Sequence, residues 1–116
     1  MPEVEVREYL DPLGRSPFAH WFAGLNAVAA AKVVVALTRL EAGNFSNVKG
    51  VGGGIFEYKI DFGPGYRVYF GKDGNQLVIL LGGSSKKGQN QAIASAQLLW
   101  AAYKKAKVRK DGEKWR

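Results

Sequence analysis

Two tight turns divide residues 52–83 into three short segments, and this stretch constrains the possible folds more than any other part of the chain. The first turn is Gly63-Pro64-Gly65, and the second contains Asp73-Gly74, a dipeptide that favours two-residue β-hairpin loops. The flanking segments are rich in apolar residues that recur at alternate positions, as they do in strands with one buried face. The stretch therefore predicts three successive antiparallel strands.

The length of the first turn predicts which residues pair across it. A three-residue connection places Asp61 opposite Arg67 and Lys59 opposite Tyr69. These four side chains then share one face of the sheet, because side chains alternate between faces along a strand. We expect that face to be open and the opposite face to be covered by helices.

The second turn predicts a further register. A two-residue turn places Phe70 opposite Leu77 and Val68 opposite Ile79. The segment 77–81 is apolar at every position, which is typical of a central strand, and we expect the N-terminal strand to lie beside it. The side chains expected to share the buried face are Phe56, Tyr58, Ile60, Val68, Phe70, Leu77, Ile79 and Leu81.

The residues before the meander predict one strand and two helices. The segment 4–10 alternates and ends at Asp11-Pro12, as an edge strand can. Ser16-Pro17 supplies an N-cap and a proline at the first helical position, and Asn26 supplies the cap of a second helix over residues 27–41. The expected apolar stripe of that second helix is Ala30, Val33, Val34, Leu37 and Leu40.

The predicted order of elements is β-α-α-β-β-β-α. The glycine-rich segment 45–54 has no periodicity and predicts a loop, and a last helix is expected over residues 90–107. This order predicts an α+β fold in which an antiparallel sheet of about four strands is covered by the N-terminal helical hairpin. We expect residues 1–107 to form a single domain and residues 108–116 to be a basic, disordered tail.

Composition narrows the chemistry. The 116 residues include no cysteine and one histidine, which excludes thiol nucleophiles and leaves few ways to build a metal site. We therefore expect no metal and no small-molecule cofactor. The acidic start lacks the layout of a signal peptide, and no apolar run approaches the ~18 residues of a membrane span. These features predict a cytoplasmic protein with no membrane partner.

The charge is distributed unevenly along the chain. Residues 1–48 carry four basic and five acidic side chains, whereas residues 49–116 carry thirteen basic and five acidic ones. The net positive charge therefore belongs to the predicted sheet and the last helix. Such an asymmetry indicates a polyanionic partner, either nucleic acid or an acidic protein segment.

Basic residues of the predicted open face are the first candidates for a site. Arg67 could hold a phosphate through two hydrogen bonds, Lys59 could stabilise negative charge, and Tyr69 could stack on a base or move a proton. A cross-strand ion pair between Arg67 and Asp61 is the alternative interpretation. Glu57 and Asp61 could form a carboxylate pair for acid–base chemistry, although ion pairs with Lys59 or Arg67 are favoured.

Other lysines extend the candidate surface. Lys86 and Lys87 lie in a polar loop after the central strand, where they could reach a phosphate over the sheet. Lys49, Lys104 and Lys105 are candidate RNA-binding residues. If the partner is RNA, its own 2′-hydroxyl can attack the adjacent phosphate, provided that cations stabilise the transition state and protons are transferred.

The chain resembles the toxins of the RelE/ParE superfamily, in particular the HigB-like "addiction module killer protein" branch. The resemblance rests on GGGIFEYKIDFGPGYRVYF, on LVILLGG with its KK and Gln loop, on an AxxLW helix and on the early FxxWFxxL helix. It covers about residues 1–105. Lys59 stands where relatives commonly have arginine, which keeps the charge and loses the two-pronged geometry of a guanidinium.

The resemblance implies a RelE-like fold and a type II toxin paired with a DNA-binding antitoxin, of the helix-turn-helix kind. RNA-cleaving members cut mRNA on the ribosome without a metal, which implies phosphate stabilisation by Arg67 and by the loop lysines Lys86 and Lys87. Because the superfamily shares a fold across different activities, two alternatives stay open. One is a ParE-like toxin that binds DNA gyrase without nuclease chemistry, and the other is an inactive toxin that binds only its antitoxin.

Overall fold

The computed structural model describes residues 3–114, with side chains described for residues 3–107. The fold is α+β, with a five-stranded mixed sheet and three α-helices. The elements in chain order are β1 (Glu5–Glu8), α1 (Pro17–Ala23), α2 (Ala27–Glu41), β2 (Val48–Gly52), β3 (Ile55–Ile60), β4 (Tyr66–Lys72), β5 (Leu77–Ser85), a short 3₁₀ helix (Lys86–Gly88) and α3 (Gln89–Lys114).

The strands lie in the order β1-β5-β4-β3-β2. β5 is an interior strand, although β4 is the central one, and β5 has β1 as its neighbour, as the sequence predicts. The expectation of a purely antiparallel sheet is wrong, because β1 runs parallel to β5 while the other pairs are antiparallel. A four-residue strand carries no side-chain pattern that separates the two directions of pairing.

β2 is a strand where the sequence predicts a loop. It pairs with β3 along one edge of the sheet and contains a register shift between Gly50 and Gly52. Glycines weaken the side-chain pattern of a strand without preventing backbone pairing, and they are common at bulges. The sheet therefore has one strand more than the predicted four.

The helix starts agree with the sequence. The Ser16 side chain accepts a hydrogen bond from the Ala19 amide at 2.9 Å, and the Asn26 side chain accepts one from the Ala29 amide at 2.9 Å. The buried face of α2 is rotated from the predicted stripe, since Val34 is 50% exposed. The buried residues of α2 are Ala29, Val33, Ala36 and Leu40.

The sheet lies between two helical layers, so neither of its faces is open along its whole length. α1 and α2 pack on one face in a core that includes Phe18, Val33, Leu40, Tyr58, Val68, Phe70, Val78 and Leu80. α3 packs on the other face in a second core formed by Ile55, Tyr69, Ile79, Leu81, Ala96 and Trp100. The expected open face is therefore covered, because α3 contributes an apolar stripe of its own.

The first hairpin has a longer loop than the sequence predicts. Arg67 pairs with Lys59, and Tyr69 pairs with Glu57, so the predicted pairs Asp61–Arg67 and Lys59–Tyr69 are wrong. The amide of Gly65 donates to the carbonyl of Phe62 at 3.0 Å, which closes a turn inside a connection over residues 61–65. The register is displaced by two residues, which preserves the assignment of side chains to faces.

The second hairpin is also longer, and here the faces change. Phe70 pairs with Leu80 rather than with Leu77, and residues 73–76 form the loop. Because the displacement is by an odd number of residues, the side chains of β5 exchange faces relative to the prediction. Ile79 and Leu81 therefore pack against α3, whereas Val78 and Leu80 pack against α1 and α2.

α3 is longer than predicted. It begins at Gln89 and continues to Lys114, past the expected end at Lys107, while residues 115–116 of the predicted tail lie outside the described part of the chain. No helix within residues 3–114 has the length and apolar character needed to cross a membrane.

Candidate functional site

A buried ion pair lies between the sheet and the start of α3. The Arg67 Nε atom of β4 is 3.3 Å from the Glu57 Oε1 atom of β3, and the side chains are 7% and 0% exposed. Gln89, the first residue of α3, donates from Nε2 to the same Glu57 oxygen at 2.7 Å. The carboxylate therefore joins two strands to the helix that covers them. This confirms the preference for an ion pair at Glu57.

The pair is incompletely hydrogen-bonded. Within the described part of the chain, Glu57 Oε2 and Arg67 Nε are buried without a hydrogen-bond partner. The cation near the second Glu57 oxygen is Lys49 Nζ, at 3.9 Å, on a side chain that is 68% exposed. Arg67 also donates from Nη1 to the Gly65 carbonyl at 2.8 Å. The arginine is thus engaged by the protein itself.

Tyr69 is not available on an open surface. It is fully buried, and its hydroxyl lies 2.9 Å from Ser84 Oγ, which in turn donates to the carbonyl of Ser85. Burial raises the pKa of the Tyr69 phenol, with the Ser84 hydrogen bond acting in the opposite direction. The prediction that Tyr69 and Arg67 project from an open face is therefore wrong. A buried phenol whose pKa is raised is poorly suited to accept a proton as phenolate.

Exposed lysines lie around this buried pair. Lys59 is exposed and pairs directly with Arg67 across the strands. Lys86 and Lys87 are exposed in the 3₁₀ helix, and the Lys86 amide donates to the Pro64 carbonyl at 3.4 Å. Gly65 lies between Arg67 and Lys86. A Cβ atom added at Gly65 would lie 3.1 Å from Arg67 Nη1 and 3.6 Å from Lys86 Cβ.

The structure brings some of the predicted residues together and separates others. Lys59, Arg67 and Lys86 meet at the 61–65 turn, with Lys87 next in the chain, and Lys49 lies on the far side of Glu57. Lys104 and Lys105 belong to α3, and Lys105 borders a cleft against β1, at the opposite edge of the sheet from β3. Among residues 3–107, no three His, Asp or Glu side chains gather as metal ligands.

A groove between α2 and β3 contains cations that the sequence analysis missed. Lys32 and Arg39 of α2 line it together with Lys59, and its volume is about 420 Å³. The available signal was their spacing of seven residues, which places both on one face of a helix. The groove borders the Lys59 end of the site just described.

The fold and the site place the chain among α+β proteins with a mixed sheet covered by helices on both faces. Its site consists of exposed lysines around a buried Glu–Arg pair. No family model matches the chain. An uncharacterized protein of Haemophilus influenzae is 46% identical over 83 residues, which cover 71% of this chain and 84% of that protein. The chain belongs to the same family as that protein.

Proposed function

We propose that the chain is the toxin of a type II toxin–antitoxin pair, of the HigB-like branch of the RelE/ParE superfamily. In this proposal it acts in the cytoplasm and inhibits translation by cutting mRNA on the ribosome. The supporting observation is the group of exposed lysines, Lys59, Lys86 and Lys87, that surrounds the 61–65 turn. A DNA-binding antitoxin would neutralise the toxin by covering this basic surface.

The proposed reaction is an attack of the substrate 2′-hydroxyl on the adjacent phosphate, which breaks the bond from phosphorus to the 5′-oxygen of the next nucleotide. The products are a 2′,3′-cyclic phosphate and a 5′-hydroxyl; the 2′-hydroxyl loses its proton to water, and the leaving 5′-oxygen takes one up from water. The lysines stabilise the negative charge that develops on the phosphate oxygens. Arg67 is a positioning residue in this scheme, because its guanidinium holds the Gly65 carbonyl and Glu57 rather than projecting outward. Because Tyr69 is buried, it does not contact the substrate in this scheme. The ribosome instead orients the substrate 2′-hydroxyl in line with the bond that breaks, and this alignment supplies part of the rate.

In vitro translation of a defined message, followed by mapping of its 5′ ends, tests the proposal. We expect cuts in phase with codons, reduced about a hundredfold or more in Lys86→Ala/Lys87→Ala, because removal of one preorganised charge donor costs that much in related chemistry. The same double variant should abolish growth arrest while keeping its thermal midpoint, since both side chains are exposed.

The matched control is Arg7→Ala/Arg15→Ala, which also removes two positive charges. Both arginines are exposed and paired with Glu5 and Asp11, away from the turn. Its cuts should match those of the natural sequence. An intact message in the unaltered protein, or unchanged growth arrest by the Lys86/Lys87 double variant, would contradict the proposed site.

A ParE-like activity is the second candidate, and one observation favours it. Arg67 is locked to Glu57 and has little exposed surface with which to meet a phosphate. A gyrase-binding toxin needs no free phosphate-binding arginine. Purified gyrase distinguishes the two: arrested DNA supercoiling with an intact message supports this candidate. An inactive toxin would affect neither assay and would still bind an antitoxin.

A further inference from the structure

The α2–β3 groove, which is lined by Lys32 and Arg39, opens beyond the first residue of β2, where β3 continues without that neighbour. At this point the Lys59 amide donates to the Asn47 carbonyl at 3.2 Å, just before β2 begins. The volume of about 420 Å³ lies in the range of small-ligand sites, about 300–1,000 Å³. The lining residues are Lys32, Val35, Ala36, Arg39, Asn47, Tyr58, Lys59, Ile60, Asp61 and Phe62.

The groove has an excess of positive charge. Lys32 and Arg39 of α2 line it together with one acidic residue, Asp61, whereas the Lys59 side chain projects from the opposite face of β3, on the side of Arg67. Within residues 3–107, no carboxylate oxygen lies within 4.0 Å of the side-chain nitrogens of Lys32 or Arg39. Cations along the walls of a cleft concentrate the field there and attract anions. The ligand of this groove should therefore carry negative charge.

The other lining groups suit a nucleotide. Phe62 provides a half-buried aromatic ring, and Lys32 Nζ lies 5.3 Å from its centre, so a cation and a stacking surface face the same space. Asn47 lies beside the Tyr58 hydroxyl at 3.4 Å and, with Asp61, offers both donors and acceptors to a base edge.

We propose that this groove binds one nucleotide of single-stranded RNA next to the phosphate that is cut. Lys32 and Arg39 hold the flanking phosphates, and the base lies against Phe62. β3 borders both the groove and, through the pairing of Lys59 with Arg67, the 61–65 turn, so one strand lies between the two parts of the path. This inference rests on the proposed function in taking RNA as the ligand.

Binding of a short, fluorescently labelled 2′-O-methyl oligoribonucleotide tests the groove without cleavage, since this probe lacks the attacking hydroxyl. In Lys32→Ala/Arg39→Ala we expect affinity to fall at least about tenfold. The dependence of log affinity on log salt should become shallower by about 1.4, the effect of two lost phosphate contacts on a single strand. Arg7→Ala/Arg15→Ala, with the same change in charge, should bind within twofold of the unaltered chain.

Two results would overturn the groove as a nucleotide site. One is an equal loss of affinity in both double variants, which would show attraction by net charge alone. The other is competition by a polyglutamate peptide as strong as that of unlabelled oligonucleotide, which would indicate an acidic protein partner instead.

The message-cleavage assay separates this inference from the proposed function. Groove-dependent binding without any cut in the message would remove the nuclease and keep the nucleotide site. Codon-phased cuts together with normal binding and cutting by Lys32→Ala/Arg39→Ala would keep the nuclease and remove the groove from it.

Discussion

Glu57 is a carboxylate with no exposed surface, two residues before the exposed Lys59 in the same strand. Its carboxylate is fully buried and held by Arg67 and Gln89, with Lys49 near the second oxygen. Removing one partner of a buried pair leaves an uncompensated charge, which costs about 3–5 kcal/mol. Inactivity of Arg67→Ala would therefore reflect misfolding as readily as a lost phosphate contact, and the lysines are the sharper probes of function.

This argument predicts a particular pattern of stabilities. Arg67→Met and Glu57→Met should each lower the free energy of unfolding by about 3–5 kcal/mol, whereas the double variant should lose less than either, because no buried charge is left alone. Urea denaturation measures all three. The exposed Arg15–Asp11 pair is the control, and Arg15→Ala should cost about 1 kcal/mol or less. Additive losses at Glu57 and Arg67 would show that the two side chains act independently.

At the level of elements, each of two helices packs a tryptophan side chain against a glycine of a strand. Trp21 of α1 lies against Gly83 of β5, and Trp100 of α3 lies against Gly71 of β4, each so closely that a Cβ atom would overlap the indole. The neighbouring Gly82 has no atom within 4 Å of the corresponding position. The helices on the two faces are therefore seated on opposite sides of the same hairpin.

The two adjacent glycines of β5 give a matched test. Gly83→Ala should destabilise the fold by about 1–3 kcal/mol, the usual cost of overpacking, because the Trp21 ring must move. Gly82→Ala should have little effect or stabilise by up to about 1 kcal/mol through the unfolded chain. The thermal and urea unfolding midpoints of the two variants measure this difference. Equal midpoints would show that the Trp21 indole can move aside without a loss of stability.

Element types were more predictable than element pairing. Local signals identified the capping residues Ser16 and Asn26 and the three strands of the meander, since these depend on near neighbours in the chain. The register depended on loop lengths that the turn residues do not determine, and an odd error at the 73–76 loop exchanged the faces of β5.

For the candidate site too, the local motifs were readable from the sequence, whereas the contacts between distant segments were not. Lys59, Arg67 and Lys86 lie around the 61–65 turn, and their role as a site stays a prediction. The covering of Arg67 could not be predicted, because it depends on where α3 lies and on the contact between Gln89 and Glu57, which are distant in sequence. The same is true of the groove, whose walls come from two elements.

At the scale of the whole molecule, a polar cluster joins the β4–β5 loop to α3. Asp73 accepts hydrogen bonds from the Tyr103 hydroxyl at 2.7 Å and from Lys107 Nζ at 2.6 Å. The hydrogen bonds from Lys107 and Tyr103 lower the pKa of the Asp73 carboxyl. Burial and the Asp73 carboxylate raise the pKa of Tyr103 from 10.0 to about 12. This polar cluster therefore contributes to the free energy of unfolding over a defined pH range.

The sign of each shift fixes the limits of that range. The raised pKa of Tyr103 makes its contribution complete below pH 10 and lost as the pH rises through about 12. The lowered pKa of Asp73 makes its contribution present above pH 3.8 and lost as the pH falls through the value in the folded chain. Tyr103→Phe should therefore flatten the alkaline fall in thermal midpoint, and Asp73→Asn should flatten both limbs.

Each limb also has a contributor outside this cluster. The pKa of Tyr69 is raised, chiefly by burial, so the alkaline limb has a second contributor. The pKa of Asp11 is also lowered, chiefly by the backbone amide of Arg15, so the acid limb has a second contributor. The chain has five tyrosines, so the tyrosinate absorbance of the unaltered chain minus that of Tyr103→Phe, followed alongside the thermal midpoint, isolates the titration of Tyr103. An alkaline limb in Tyr103→Phe that matches the unaltered chain would exclude this cluster as its source.

The parallel pairing of β1 with β5 also determines the order of events during synthesis. Glu5 pairs with Leu77, so more than half of the chain must leave the ribosome before the first strand finds its place in the sheet. Closing so long a loop lowers the entropy of the chain before the contacts between β1 and β5 can form, and topologies of this kind fold slowly. A nascent chain therefore cannot complete its sheet until β5 has emerged, which leaves time for a partner to meet it.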